Sequence, residues 1–89
     1  VCGYNDEVAL AVLSGMRLRG LLAPGNLAVV GVDDLRVGAL TTPSLTTIAT
    51  GMSEIGEHLA ASVTHILRGG DEPEPPRPEL IKLVRRESA

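Results

Sequence analysis

The chain has 89 residues, a net charge of −3, 44% apolar residues and one aromatic, Tyr4. That length allows one small domain at most, with a thin core built from Leu, Val, Ile and Ala, and the apolar share is too high for a disordered chain. The acidic balance argues against a sequence-independent grip on nucleic acid, because the cationic residues are scattered and only Arg85-Arg86 adjoin, as a pair expected to be solvated.

Residues 1–4 read as the end of a strand, opening on Val1-Cys2-Gly3 as though inside it, so the sequence reads as a fragment of a longer chain. Cys2 stands alone, which rules out an internal disulfide, and its apolar neighbours predict a buried thiol. Asn5-Asp6-Glu7 then reads as a helix start. Asn5 can cap free N–H groups, and the two acids suit the positive end of the helix dipole. The helix should run to about Arg19 and stop at Gly20. Val8, Ala9, Val12 and Met16 lie on one side, but Leu10, Ala11 and Leu13 carry the apolar surface well round. A helix apolar over most of its girth is covered from two directions. One cover is its own sheet; the other is a further element or another chain.

Pro24-Gly25 signals a turn, and Leu27 to Val32 follows as a continuous apolar run. Such a run after a helix marks a parallel strand buried on both faces, so residues 1–32 predict a right-handed βαβ unit of an α/β fold. Residues 33–45 read as a loop, and Leu45 to Ala49 as a short β-branched strand. A second helix, capped near Ser53, places Met52, Ile55, Leu59, Val63 and Ile66 on one face and ends at Gly69-Gly70. The prolines between Asp71 and Glu79 exclude regular structure there, Leu80 to Val84 is a last strand, and Arg85 onward reads as tail. No stretch approaches 18 apolar residues, so no membrane span is expected, and no signal peptide is visible. A lone thiol fits a reducing compartment, and the expected localisation is cytoplasmic.

The run VVGVDD carries two acids at the carboxyl end of a buried strand, and Asn5 stands at the same end of the preceding one. In open parallel sheets ligands bind beyond those ends. Carboxylates and amides there suit the hydroxyls or amino groups of a small ligand. The plainer reading is that Asp33 and Asp34 start a loop and Asn5 caps a helix. Signals of catalysis are poor. His58 and His65 are seven apart on one helix, too far for one metal, and Ser14 and Ser62 have no base at a recognisable spacing. No glycine-rich phosphate loop opens a helix.

The order YNDEVALAVLSGMRLRGLLAPGNLAVVGVDD, TTPSLTTI, EIGEHLAASVTHILRG and PPRPELIKLVRRES closely resembles the C-terminal part of LacI/GalR-type transcriptional regulators. The N-D-E and V-V-G-x-D pieces are shared with periplasmic sugar-binding proteins; T-P-x-L-T-T-I and the closing strand are more specific to the regulators. The resemblance implies a parallel βαβ sheet fragment of a periplasmic-binding-protein-like core, with a second helix and a C-terminal strand. Residues 1–45 and 79–87 would belong to the C-terminal subdomain, and residues 46–70 to the third crossing and a helix of the N-terminal subdomain. The DNA-binding domain would be absent.

Carried over by position, the resemblance gives Asn5 and Asp33 as ligand contacts, with Thr50 and Met52 at the third crossing. The crossing departs from the family, which often places Gln there, and Gly51 stands where Pro is common. The first helix matches a dimerisation helix, with Leu10, Leu13 and Arg17 at the interface. No catalytic residue, metal or cofactor is implied. The partners implied are a small-molecule effector, read as a carbohydrate, a second copy of the chain, and operator DNA through the missing N-terminal domain. A fragment of a periplasmic sugar- or solute-binding protein is the alternative.

Overall fold

Asn5 opens the first helix as its side chain predicts. In the computed structural model, which describes residues 1–89, its Oδ1 accepts a hydrogen bond from the Val8 N–H at 2.9 Å. Helix α1 spans Asp6–Leu18, with Asp6 and Glu7 in the first turn and Arg17 in the last, each sign of charge suited to its end of the dipole. Ala9 and Met16 are buried and meet Val29 and Leu45, while Leu10, Val12 and Leu13 pack partly against that group. Leu18, at 85% exposure, and half-exposed Val8 remain outside it. The apolar girth of α1 therefore exceeds what this chain covers.

The sheet has three strands, β1 (Val30–Val32), β2 (Thr46–Ala49) and β3 (Lys82–Val84), in the order β1-β2-β3. β1 and β2 are parallel with Val32 opposite Ile48; β2 and β3 are antiparallel with Ile48 opposite Leu83. The expected first strand is reduced to a parallel bridge between Cys2 and Val30, supported by Gly3 N–H donating to Val30 O at 2.7 Å. That bridge, α1 and β1 keep the strand-helix-strand order of an α/β fold. The strand expected from Leu27 starts at Val30, and Leu27 and Ala28 are exposed. Cys2 is exposed, not buried, because its bridge lies on the edge of β1 opposite β2.

Two expectations fail at segments held by distant contacts. Residues 33–45 are not all loop: α2 spans Arg36–Leu40. Its middle residue, Gly38, is buried against Leu45 and accepts the Leu45 N–H at 2.7 Å, so tertiary contact forms a helix that its glycine disfavours. Nor is the chain after Arg85 a free tail. Ser88 is fully buried; its hydroxyl donates to Val29 O at 2.6 Å and accepts from Thr46 N–H at 2.8 Å. Its main chain accepts from Val29 N–H and donates to Ser44 O, both at 2.9 Å. The exposed Glu87 carboxylate accepts from the Ser44 N–H at 3.0 Å and the Ser44 hydroxyl at 2.9 Å. Those two bonds, the backbone one first, lower its pKa below the ordinary glutamate value.

All of this lies in one unit, Val1–Thr50 with Lys82–Ala89; Gly51–Ile81 is a second. There α3 spans Met52–Arg68, and a short 3-10 turn spans Pro78–Leu80. Ser53 is not the cap. Gly51 holds that position at φ 64°, where a Cβ would sit 2.9 Å from the Leu80 Cβ. Gly69 ends the helix at φ 75°, as expected. The apolar stripe of α3 is present but bare, with Met52, Leu59, Val63 and Ile66 all more than half exposed.

Candidate functional site

Parallel pairing of β1 and β2 brings their carboxyl ends to one edge of the first unit. Asp33 follows β1, and Thr50 follows β2 at the same edge. Asn5 joins them because the next residue, Asp6, reaches under this edge. Asp6 is fully buried; its Oδ2 accepts from the Leu35 N–H at 2.7 Å and its Oδ1 from the Thr47 hydroxyl at 2.5 Å. Asp33 N–H donates to Ile48 O at 2.9 Å, and Asp34 N–H to Thr47 Oγ1 at 3.3 Å. The turn so held is left-handed at two non-glycine residues, with φ 107° at Asp33 and 54° at Asp34. Such conformations persist where the surroundings over-determine them, and they concentrate at functional sites.

The adjacent acids have different surroundings. Asp34 Oδ1 pairs with the Arg86 guanidinium at 2.9 Å, which also donates to Leu45 O at 3.0 Å, while Arg86 N–H donates to Thr46 Oγ1 at 2.9 Å. Arg86, expected to be solvated, is thus tied to the sheet. Asp33 is exposed, and its carboxylate makes no hydrogen bond or ion pair within the chain. Asn5 uses Oδ1 as the helix cap and keeps its amide N–H groups for another partner. Thr50 has a buried hydroxyl oxygen with no hydrogen-bond partner. A charged acceptor, an amide donor and a hydroxyl therefore share one edge. Met52, 63% exposed, heads α3 in the other unit.

Leu10, Leu13 and Arg17 lie elsewhere, along a groove of about 850 Å³ between α1 and the segments 20–23 and 41–43. Its lining is mostly apolar, with Leu21, Leu22 and Pro43 facing the helix residues, and it includes none of Asn5, Asp33, Thr50 or Met52. No group of three or more His, Cys, Asp and Glu is placed to hold a metal ion. No helix is long and apolar enough to cross a membrane.

Sequence reasoning missed Asp6, Thr47 and Arg86. As a first-turn acid, Asp6 has a sufficient explanation in the helix dipole, and Thr47 has one in strand propensity. The available signal was Gly31, a glycine inside an apolar strand, which marks a close approach by another group. That group is Asp6: a Cβ at Gly31 would collide with Asp6 Oδ1.

A family model described as "Periplasmic binding protein-like domain" matches residues 1–89. The HTH-type transcriptional regulator AscG of Escherichia coli is 30% identical over 84 residues, 94% of this chain and 25% of AscG. A sugar-binding transcriptional regulator of the LacI family from Escherichia coli superposes with a TM-score of 0.81 at 28% identity, over 99% of this chain and 31% of that one. A LacI family transcriptional regulator from Arthrobacter, solved in complex with lactose, gives a TM-score of 0.77 at 29% identity, over 98% of this chain and 34% of that one. The chain thus spans about a quarter to a third of the proteins it matches. These relatives are transcriptional regulators, not enzymes.

Proposed function

The chain belongs to the periplasmic binding protein-like domain family, in the form found in LacI/GalR-type transcriptional regulators, and we propose that it is the effector-sensing and dimerisation portion of such a regulator. Its effector is a carbohydrate, and binding modulates contact with operator DNA made by residues outside these 89. The observation that carries the reading is the exposed Asp33 carboxylate, free of partners on a left-handed turn and sharing its edge with Asn5 and Thr50. A carboxylate that accepts from paired sugar hydroxyls discriminates strongly, because charge-assisted bonds exceed neutral ones. Most of the unit Val1–Thr50 with Lys82–Ala89 is read as C-terminal subdomain, and α3 as part of the N-terminal one. Relatives that are regulators favour this reading over a periplasmic solute-binding protein, and a DNA partner sets the protein in the cytoplasm.

Effector contacts that differ between two subdomain arrangements shift the balance between them, and the DNA-reading domains follow. The test uses the full-length protein and thermal-shift and calorimetric titration with lactose, cellobiose, ribose and arabinose. Asp33→Asn should weaken binding of the responding sugar by about 10–100-fold, the loss of charge-assisted hydrogen bonds. Unchanged affinity and unchanged operator release would remove Asp33 from the site.

Dimerisation through α1 is supported by its apolar girth and by the groove beside Leu10, Leu13 and Arg17. A charge there is desolvated in any dimer that uses this face. Leu13→Glu should convert a sedimenting dimer of the full-length protein to monomer at micromolar concentration; an unaltered dimer would move the interface elsewhere.

A further inference from the structure

We propose that Asp6 is the positioning residue for Asp33: with Thr47, it fixes the turn Asp33–Leu35, left-handed at Asp33 and Asp34, so that the Asp33 carboxylate stays free at the edge. The inference rests on the reading of Asp33 as an effector contact, but the geometry is independent of it. Three consecutive N–H groups, of Asp33, Asp34 and Leu35, are each taken by a different group: the Ile48 carbonyl, the Thr47 hydroxyl and the Asp6 carboxylate. The Thr47 hydroxyl in turn donates to Asp6. One buried carboxylate therefore governs two of the three bonds, one directly and one by orienting the hydroxyl that accepts the other.

This arrangement answers two physical needs. Asp33 and Asp34 both have positive φ, a state that costs free energy for residues with a Cβ and must be imposed by surrounding contacts. Asp6 is fully buried, and a buried carboxylate is retained where both oxygens have donors. No other side-chain group accepts the Leu35 N–H. Asp6 sits next to Asn5, so one helix N-terminus supplies both a rim side chain and the anchor of the opposite rim residue.

The experiment is residue-resolved amide hydrogen exchange on the full-length protein, without added sugar. Asp6→Asn keeps the side chain's shape but removes the charge and one acceptor oxygen. Exchange at Asp34 and Leu35 should rise about tenfold, while Val30–Val32 and Thr46–Ala49 keep their wild-type rates. A uniform rise across the sheet, or no rise at Leu35, overturns the inference. Should Asp6→Asn fail to fold, the Thr47 pair decides: Thr47→Val removes the Asp34 acceptor and one of the two donors that hold Asp6, so exchange should rise at Asp34 and, through Asp6, at Leu35, while Thr47→Ser should leave both; a rise at Asp34 alone overturns the inference. The sugar titrations separate the two readings. Asp6→Asn should weaken binding of the responding sugar in the wild-type background and add no further loss in the Asp33→Asn background; additive losses overturn the positioning role. If Asp33→Asn leaves sugar binding unchanged, or none of the four sugars binds, the effector reading fails while the exchange result still decides what Asp6 does to the turn.

Discussion

Gly31→Ala should lower the stability of the unit that carries it by about 3 kcal/mol, the cost of overpacking a site that cannot relax. The added methyl would collide with Asp6 Oδ1 and lie 3.0 Å from Leu45 Cδ2 and 3.1 Å from the Asp6 Cα. Neither neighbour has a free direction. Asp6 is held through both oxygens, by Leu35 and Thr47, and Leu45 is fully buried in the small core with Ala9 and Val29. Making room for the methyl breaks the Asp6 bonds or displaces α1. In the full-length protein the melting temperature should fall by roughly 6–12 °C. Gly15→Ala is the control. It lies within α1 and has nothing within 4 Å of its Cβ position, so the helix should gain about 0.5–1 kcal/mol. A melting temperature unchanged by Gly31→Ala would mean that Asp6 is not packed against β1.

The same residues explain what the sequence could and could not disclose. Periodicity and capping are local, so α1 begins at the residue expected, α3 ends at the glycine expected, and β2 lies within a residue of its expected place. Strand direction alone puts Asn5 and Asp33 at one end of the parallel pairing between residues 1–4 and β1. The turn behind that end was not legible in the sequence. Its bonds join residues 29 and 13 positions apart, and Asp6 already had a local explanation. Helix α2 escaped for the same reason, since it depends on Gly38 meeting Leu45. Arg86 and Ser88 looked like tail because they follow the last apolar run and carry no periodic pattern of their own; their partners lie 40 to 59 residues away.

Ser88→Ala should cost the same unit about 2–4 kcal/mol, the penalty for orphaning two buried main-chain groups at about 1–2 kcal/mol each. The hydroxyl lies between the leading ends of β1 and β2, where it donates to Val29 O and accepts from Thr46 N–H. Both neighbouring residues are fully or nearly fully buried, at 0% and 1% exposure, so water does not replace the lost partner. Alanine is otherwise well suited to the site, being smaller and free of strain, so the loss isolates the hydroxyl. Charge is the obvious rival explanation for how the chain's end is held, through Arg86 and Asp34. That ion pair is partly open, with side-chain exposures of 21% and 35%, and such pairs contribute about 1 kcal/mol or less. Asp34→Asn, which tolerates the left-handed backbone, should therefore shift the melting temperature less than Ser88→Ala does. High salt should erase the Asp34 effect and leave the Ser88 effect intact. The reverse order would mean that the charge, not the buried hydroxyl, fastens the last residues to the sheet.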